Sequence, residues 1–558
     1  MQDLTKKEWL LLVLFMTLLI LPLQYICRSL DMSTLTSWRW VFAGVGPAKI
    51  FVLTAIAALL VIPLSGSGLP EKYPVIFLFT ASILTCAPFL NSPEILLDSA
   101  RYFLQAKYLA QYGLAEFFRE WGGKINPWTD LPLVPLIYGV LFKLFGEGKQ
   151  AIVIFNTLLF SLVPVLTYFA GSLLWDRLTG FIGAILILAS PYLFTQVPAM
   201  LVDMHTMFFL LLAVCMFLYT LARGGFLLSC GSAITIVLAL FSKYSTWPIL
   251  GVLGVVVLVS MDSQPRTVLK RSLVVAALAF SLLGSIYFWK GAVISQQLHF
   301  LRTYQMAGLK RWQEGYLAPF FFQTHPFIML TALFGVCRAF VKRDRKILIL
   351  GWFAALVFIL ELKRVRYLLP LLPYMALSGS YGLQGMVHNQ VRKYMAYCCA
   401  VSSFLIALMV YKPFLDGTSM ANLKDAGRFL DTFSSEVVEV YCLPQAKSLG
   451  NTSAAVPILD LYTNRIIYQE QPWKSAEGLQ RAQNVSLRFT WELRQPDYYR
   501  LNKYSGLQFP LVIIASEPVS DMPPGLQKKY PGATLRRQFT KSSGVFRYQT
   551  FVSVFDPH

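Results

Sequence analysis

The sequence predicts an all-α polytopic membrane protein that ends in a small α/β domain. Of its 558 residues, 56% are hydrophobic and only 14% are charged, whereas a soluble protein carries roughly 25% charged residues. The apolar residues form long continuous runs, which favour spanning helices over a membrane barrel, whose strands alternate over about ten residues. The last part of the chain is polar and contains short β-like runs between Pro and Gly turns.

About thirteen apolar segments are predicted to be membrane helices, on the basis of the roughly 20 residues that a crossing requires. They are 9–27, 47–64, 73–90, 150–174, 178–196, 204–222, 226–242, 246–260, 272–290, 326–341, 347–361, 366–386 and 394–412.

The positions of Lys and Arg predict the orientation of these helices. Lys6 and Lys7 precede the first segment and place the N-terminus in the cytoplasm. Alternate short loops then carry basic residues, most densely at 338–346, in agreement with one orientation. Residues 131–145 are apolar but only about 15 residues long, so we expect them to lie along the outer face as a juxtamembrane helix.

This orientation divides the chain into two predicted domains. Residues 1–412 form the transmembrane domain, and its external loop, 91–149, carries juxtamembrane helices. Residues 413–558 form a C-terminal extracytoplasmic (periplasmic) α/β domain of roughly 140 residues, an ordinary domain size. The expected localisation is therefore a multi-pass plasma (inner) membrane with a cytoplasmic N-terminus. The expected strands of the outer domain are Val437–Leu443, Ala455–Leu459, Leu511–Ala515 and Val545–Val554.

The formal net charge of +20 exceeds what cytoplasmic loops explain. Contact with anionic membrane lipids or with a lipid phosphate accounts for the surplus. Nucleic acid is not an expected partner, because the basic residues are scattered between apolar segments. The eight cysteines include no CxxC pair, so no zinc site of that type is predicted. A divalent metal bound through carboxylates stays an open alternative.

The polar stretch 91–130 contains the first candidate for chemistry, Asp98. Ionisable groups at a membrane boundary are costly and therefore suggest function. If residues 98–112 are helical, then Asp98, Arg101, Tyr102 and Gln105 share one face. Two interpretations of Asp98 are equally weighted: a catalytic carboxylate, or a simple helix N-cap.

Further candidates lie at other outer boundaries. Asp203 opens an apolar helix and is interpreted alone as an N-cap, but the orientation places it on the same face as Asp98. Lys243 stands in an apolar context, and LKRVRY at 362–367 is strongly basic. Outer cations run against the positive-inside trend, and a phosphate-bearing ligand explains them because Lys and Arg bind phosphate through charge-assisted hydrogen bonds.

The order of these features resembles the C-type (GT-C) integral-membrane glycosyltransferases, in particular the protein O-mannosyltransferase and aminoarabinose (lipid A) transferase group. The resemblance covers roughly residues 73–415. It rests on the following motifs: Asp98-Ser99-Ala100-Arg101-Tyr102, the segment Leu131-Pro132-Leu133 through Leu144-Phe145-Gly146, Asp203 after Ser190-Pro191, Lys243, and the run Lys363-Arg364-Val365-Arg366-Tyr367-Leu368-Leu369-Pro370-Leu371-Leu372-Pro373.

The resemblance implies transfer of a sugar from a polyprenyl-phosphate donor to a lipid, glycan or protein acceptor on the outer face, with inversion. It implies Asp98 as general base, with a pKa that burial among aromatic residues raises, and Asp203 as a second catalytic residue. The implied donor-phosphate ligands are Lys243, Arg364, Arg366 and Arg101, and the implied substrate-binding residues are Tyr102, Tyr367, Asp130 and Glu94. No organic cofactor is implied.

Two departures from the family pattern leave alternatives open. Ser99 stands where the family has a second acidic residue, so Glu94, Asp130 or Asp203 shares its work, or the acceptor or the activity differs. Thr129-Asp130-Leu131-Pro132 replaces a Glu-Lys-Pro-Pro element, so the aminoarabinose substrate is not expected. A flippase, a transporter or a non-catalytic protein for a lipid-linked saccharide is the other functional class, although a transporter typically shows inverted repeats, and none are visible.

Overall fold

The computed structural model describes residues 5–34, 36–262, 264–306, 313–385, 388–444, 452–471, 473, 495–543, 545–546 and 548–557. Helices make up most of the first 417 residues, and each of the apolar segments predicted above is helical or is a series of short helices. Outside the loop 91–149 these helices are Lys6–Leu18, Ile20–Cys27, Pro47–Gly66, Leu69–Lys72, Pro74–Cys86, Lys149–Leu174, Arg177–Leu186, Pro191–Gln196, Asp203–Arg223, Phe226–Ser242, Thr246–Ile249, Val252–Ser260, Pro265–Phe300, Pro326–Lys342, Leu348–Ile359, Val365–Leu368, Leu372–Leu383, Asn389–Ile406 and Lys412–Gly417.

Among the described residues, six helical stretches are long and apolar enough to cross a membrane: Lys6–Leu30, Pro47–Gly66, Lys149–Leu174, Asp203–Arg223, Pro265–Thr303 and Asn389–Gly417. The protein is thus a multi-pass helical membrane protein, while thirteen crossings stay a prediction. Several other segments are interrupted. The segment 178–196, for example, divides at Ser190-Pro191 into Arg177–Leu186 and Pro191–Gln196, because proline lacks the N–H group that would continue the helix.

Small residues allow the helices to approach closely. Helix Pro326–Lys342 crosses helix Leu372–Leu383 at Gly335, where a Cβ atom would lie 2.0 Å from the carbonyl oxygen of Ser378. Close approach at small residues is the usual way that membrane helices gain packing energy, since lipid offers no hydrophobic driving force.

The external loop contains three helices, Ser99–Tyr112, Leu114–Glu120 and Leu133–Phe145. The third has 13 residues and is therefore about 20 Å long, short of the roughly 30 Å hydrocarbon layer. It packs against Ser99–Tyr112, and its buried side chains include Val134, Tyr138 and Phe142. Its juxtamembrane position stays a prediction.

The C-terminal part contains a mixed sheet. The strands within the described residues are β1 Thr36–Ser37, β2 Val437–Cys442, β3 Ile466–Tyr468, β4 Leu511–Ala515, β5 Thr534–Phe539, β6 Val545–Phe546 and β7 Phe551–Asp556. Five of them form one sheet in the order β3-β2-β4-β7-β5, in which β2 is parallel to β3 and β4, and β7 is antiparallel to β4 and β5. Helices Met420–Leu430, Ala455–Asp460 and Pro524–Gln527 accompany it.

Two of the predicted strands need correction, and two observed strands were not predicted. Ala455–Leu459 is helical, because Pro457 cannot donate to a sheet and the whole segment is buried against the external loop. The run 545–554 is two separate strands, β6 and β7, and the short strand β3 and the exposed strand β5 were not predicted.

The sheet presents one face to the external loop. Val512 and Ile514 of β4 belong to a hydrophobic cluster that includes Leu97, Ala100 and Leu104 of the loop. Leu511 and Ile513 point to the opposite face and pack with Met522, Leu526 and Tyr530, as the two-residue period of a strand requires. The outer sheet therefore supports the segment that carries Asp98.

A pair of glycine substitutions tests the helix contact at Gly335. We expect Gly335→Ala to destabilise the protein by about 1–3 kcal/mol, the usual cost of overpacking, measured as a lower thermal midpoint in detergent. Gly351→Ala is the matched control, because a Cβ atom there meets nothing within 4 Å. Equal midpoints for the two variants would contradict the packing account.

Candidate active site

Asp98 immediately precedes helix Ser99–Tyr112, yet its side chain makes no capping hydrogen bond. Its carboxylate accepts a hydrogen bond of 2.6 Å from Nη2 of Arg366 instead. The two interpretations of Asp98 therefore separate: the residue occupies the cap position, but its side chain is turned to a cation from a distant part of the chain.

Arg366 joins Asp98 to Asp203. Arg366 lies on the short helix Val365–Leu368, within the basic run that starts at Lys363. Its Nε is 3.9 Å from Oδ2 of Asp203. Asp203 begins helix Asp203–Arg223 and is only 2% exposed. The guanidinium of Arg366 thus forms ion pairs with two carboxylates that come from different segments of the chain.

Lys243 completes the cluster on the other side of Asp203. Its Nζ lies 2.5 Å from Oδ1 of Asp203 and 4.2 Å from the ring centre of Tyr367, a cation–π distance. Lys243 follows the last residue of helix Phe226–Ser242 and has extended backbone, which turns its side chain from the end of the helix into the cluster.

Arg366 has hydrogen-bonding capacity left. Its Nε and Nη1 are buried and have no hydrogen-bond partner within the described part of the chain. Arg364, by contrast, gives its Nε to both carboxylate oxygens of Glu314, at 2.6 and 2.8 Å. Arg366 is therefore better placed than Arg364 to receive an anion.

A second layer surrounds Asp130. Oδ1 of Asp130 pairs with Nη2 of Arg101 at 3.0 Å, and Oδ2 accepts from Gln105 at 3.3 Å. Its backbone oxygen accepts a 2.8 Å hydrogen bond from Gln297, whose side-chain oxygen accepts one from the hydroxyl of Tyr244 at 2.7 Å. Arg101 and Gln105 stand on the same face of one helix, as their spacing predicts.

The pKa values of Asp98 and Asp130, two carboxyl groups of the external loop, are shifted in opposite directions. Burial raises the pKa of Asp98, but the positive charges of Arg366 and Arg101 outweigh it and hold this pKa below its usual range. The expected rise is therefore wrong, because two guanidinium groups and not aromatic rings dominate the surroundings. Burial raises the pKa of Asp130 to about 6 despite Arg101, and the charge of Asp98 adds to the rise.

Tyr102 lies between these groups. Its hydroxyl is 3.4 Å from Nη2 of Arg101 and hydrogen-bonds Asp130. Burial and the charge of Asp130 raise the pKa of this phenol, so it stays a neutral hydrogen-bond donor. Tyr367, by contrast, lies against Lys243 and Arg366, at 4.2 and 5.4 Å from its ring centre.

Glu94 is held apart from the Arg366 cluster by protein contacts. Its carboxylate accepts hydrogen bonds from Ser99 Oγ at 2.6 Å and from the backbone N–H of Met200 at 3.0 Å, and it pairs with Lys149. All of these contacts fix the start of the loop. The geometry thus favours a positioning place for Glu94 over the direct substrate contact that was predicted for it.

Ion pairs and hydrogen bonds between the external loop and the C-terminal part hold helix Ser99–Tyr112 in place. Nζ of Lys107 lies 2.8 Å from Asp460 and 2.9 Å from Glu147, and Tyr499 donates to Asp460 at 2.6 Å. The backbone N–H of Glu94 donates to the hydroxyl of Tyr462 at 2.8 Å. Sequence reasoning missed the contacts Lys107–Asp460 and Glu94–Tyr462, since their partners are 353 and 368 positions apart.

The same limit applies to Glu314 and Gln297. Gln297 lies near the end of helix Pro265–Phe300, and Glu314 lies after it in the chain. Nothing in the sequence pairs Glu314 with Arg364 or Gln297 with Asp130. Within the described residues, no group of three or more His, Cys, Asp and Glu side chains is arranged to hold a metal ion.

Comparison with solved structures places this arrangement in a known fold. ArnT from Cupriavidus metallidurans in the apo state matches with a TM-score of 0.55 and 13% identity, over 87% of this chain and 98% of that chain. The chain has the fold of ArnT. The structure of ArnT bound to undecaprenyl phosphate matches with a TM-score of 0.52 and 12% identity, over 86% of this chain and 97% of that one.

The fold that the resemblance to the aminoarabinose transferase group implied is thus confirmed by the likeness to ArnT. An oligosaccharyltransferase from Archaeoglobus fulgidus in the apo form also matches, with a TM-score of 0.44 and 13% identity over 72% of this chain and 65% of that one. No family model matches this sequence, and no curated protein matches it. The likeness to ArnT therefore lies in the course of the chain more than in its residues.

The Lys107–Asp460 pair is expected to stabilise the folded protein far more than an exposed pair. Lys107→Met leaves Asp460 buried without its cation, which typically costs about 3–5 kcal/mol. Lys541→Met removes the more exposed pair with Asp425 (2.7 Å), where roughly 0–1 kcal/mol is expected. Unfolding in detergent measures both, and similar losses would contradict the assigned role.

Asp130 is expected to make stability depend on pH. Its folded pKa of about 6 lies above the unfolded value of 3.8, so its contribution is full below pH 3.8 and is lost as pH rises through 6. At roughly 1.4 kcal/mol per pKa unit, the loss relative to Asp130→Asn approaches about 3 kcal/mol. Thermal midpoints between pH 4 and 7 measure it. Parallel curves for wild type and Asp130→Asn would contradict the shift, and Asp521→Asn, at an exposed carboxylate, is the control.

Proposed function

We propose that this protein is a membrane glycosyltransferase that moves a sugar from a polyprenyl-phosphate donor to an acceptor on the outer face of the membrane. One observation carries the proposal: Asp98, Asp203, Arg366 and Lys243 form one ion cluster where the loop meets the membrane helices. A carboxylate beside two cations is the arrangement that transfer from a phosphate leaving group requires, with a base for the acceptor and positive charge for the phosphate.

The donor phosphate is assigned to Arg366 and Lys243. Nε and Nη1 of Arg366 are buried and form no hydrogen bond with a described residue, although Nε lies 3.9 Å from Oδ2 of Asp203. Lys243 adds a second positive charge. Arg101 and Arg364 contribute positive charge at longer range, which both exert on Asp98. A structure of ArnT, whose fold this chain has, is bound to undecaprenyl phosphate, and this supports the choice of a lipid phosphate. The lipid tail then lies between the apolar helices.

Asp98 is the proposed general base. Its carboxylate takes the proton of an acceptor hydroxyl, and the freed electron pair forms the new bond to the anomeric carbon. The bond from that carbon to the phosphate oxygen breaks, the polyprenyl phosphate leaves with the electron pair, and the configuration inverts. Asp203 keeps Arg366 and Lys243 in place, while Tyr102, Tyr367 and Asp130 contact the substrates.

The low pKa of Asp98 bears on this mechanism. A carboxylate held by Arg366 is always ionised but is a weak base. A phosphate on Arg366 and Lys243 offsets the charge that lowers this pKa, so the base strengthens when the donor is bound. The proposed order of events is therefore donor first, acceptor second.

The orientation and the domain division belong to the same proposal. Residues 1–412 form the membrane domain with a cytoplasmic N-terminus, and residues 413–558 form an outer domain. The contacts of this outer part with the loop support that division, since Asp460, Tyr462 and Tyr499 hold the segment that carries Asp98. The acceptor is a lipid, a glycan or a protein whose hydroxyl reaches Asp98.

Asp98→Asn tests the proposal on purified protein in lipid nanodiscs supplied with a panel of polyprenyl-phosphate sugars and envelope acceptors. Release of polyprenyl phosphate is the readout. We expect kcat to fall about 10²–10⁴-fold, the usual contribution of a general base, while Arg366→Gln chiefly weakens donor binding. Asp521→Asn, an exposed carboxylate in the outer part, is the matched control.

Two outcomes would overturn this function. Unchanged turnover in Asp98→Asn excludes Asp98 as the base. Movement of intact donor across the bilayer by the wild type, without cleavage of the sugar–phosphate bond, identifies a flippase instead.

A further inference from the structure

Helix Pro265–Phe300 links the candidate active site to a second polar region. Near its end, Gln297 supports Asp130. Its beginning carries Arg266, Lys270 and Arg271. The helix is kinked at Lys290, where the backbone leaves helical geometry (φ −126°). The uninterrupted part from Lys270 to Trp289 spans about 28 Å at 1.5 Å per residue, close to the roughly 30 Å of a hydrocarbon layer. These cations are therefore expected on the other side of a membrane from Asp98.

Two cavities flank this basic end. One, of about 580 Å³, is lined by Gly225, Phe226, Ser229, Arg266, Thr267, Lys270, Arg271 and Val274. The other, of about 460 Å³, is lined by Arg266, Leu269, Lys270, Leu273, Val274 and Ala277. Arg266, Lys270 and Val274 border both cavities, and their spacing of four makes them one ridge along the helix. The ridge therefore has a groove on each side.

The polar end of this ridge is positively charged. Arg266 and Lys270 are exposed, and neither cavity has an acidic residue in its lining. Arg271 is fixed, because its Nη1 donates to the carbonyl oxygens of Leu221 and Ala222 at 2.6 and 3.0 Å, at the end of the neighbouring helix.

A glycine makes room for Arg271. Gly224 has φ +72°, and a Cβ atom there would lie 2.6 Å from Nε of Arg271. The turn between the two helices is thus shaped around this guanidinium, and the third cation of the region is built into the fold.

Beyond the charges, both grooves have apolar walls that face outward. Leu273 is 60% exposed and Phe226 is 70% exposed. Only 17% of the apolar window of Pro265–Thr303 is buried inside the protein. In a helix that crosses a membrane, such a surface lies against lipid chains.

We propose that this ridge is a binding site for an anionic phospholipid, with the phosphate headgroup on Arg266 and Lys270 and one acyl chain in each flanking groove. Basic pockets between helices at the cytoplasmic surface suit such headgroups. The paired apolar grooves favour a phospholipid over a free phosphate ion, which has no use for them. This site rests on the orientation given under the proposed function, but it is separate from the proposed donor site and does not depend on sugar transfer.

The test is lipid binding to the full-length protein in detergent, measured by native mass spectrometry with phosphatidylglycerol, phosphatidylcholine and inorganic phosphate as probes. We expect Arg266→Gln/Lys270→Gln to weaken phosphatidylglycerol binding about 30-fold, since each basic side chain near an anionic lipid gives roughly a fivefold factor. Lys6→Gln/Lys7→Gln removes two exposed cations elsewhere and is expected to bind as the wild type does.

Leu273→Gln tests the contribution of the acyl chains to binding separately from that of the headgroup. It is expected to weaken phosphatidylglycerol binding while leaving Arg266 and Lys270 intact, and equal thermal midpoints show that each variant is folded. Equal binding of phosphatidylcholine, retention of phosphatidylglycerol by the double variant, or competition by millimolar inorganic phosphate alone overturns the proposal.

Discussion

The candidate site depends on one constraint, the ion pairs that Arg366 forms with two carboxylates. Asp98 and Asp203 come from different segments and are both largely buried. Buried charges need a partner, and removal of a shared partner typically costs about 3–5 kcal/mol. Arg366 therefore fixes where the external loop and helix Asp203–Arg223 meet. The basic motif that contains Arg366 therefore has a structural role in joining these segments, as well as its proposed role in catalysis.

The C-terminal sheet adds to this constraint. One face of the sheet packs on Leu97, Ala100 and Leu104, close to Asp98 in the chain, and Lys107 ties the far end of the same helix to Asp460. The loop is thus held at its start by Arg366, along its length by apolar contacts and at its end by an ion pair. A segment fixed at three points presents Asp98 and Arg101 in one geometry, as a preorganised site requires.

Local patterns in the sequence were sufficient for the helices and for the members of the cluster. Long apolar runs predict where helices occur, although not always their ends: the segment 272–290 lies inside a helix that extends from Pro265 to Phe300. The isolated charges Asp98, Asp203, Lys243 and Arg366 stand out against these runs. The sequence could not show which of these charged residues pair with each other, because Asp98 and Arg366 are 268 positions apart. The pKa of Asp98 was misjudged for the same reason. The short run 455–459 was misassigned, since five apolar residues fit a strand or a buried helix equally well.

The replacement of an acidic residue by Ser99 becomes intelligible through Glu94. Ser99 donates its hydroxyl to Glu94, and Lys149 and the N–H of Met200 complete the surroundings of that carboxylate. Glu94 is thereby engaged outside the Arg366 cluster. The remaining carboxylates have cations of their own: Asp130 has Arg101, Asp203 has Lys243 and Asp98 has Arg366. An incoming phosphate must therefore compete with one of these pairs. Arg366 is the natural place, because it already divides its charge between two carboxylates and retains buried N–H groups for a third anion.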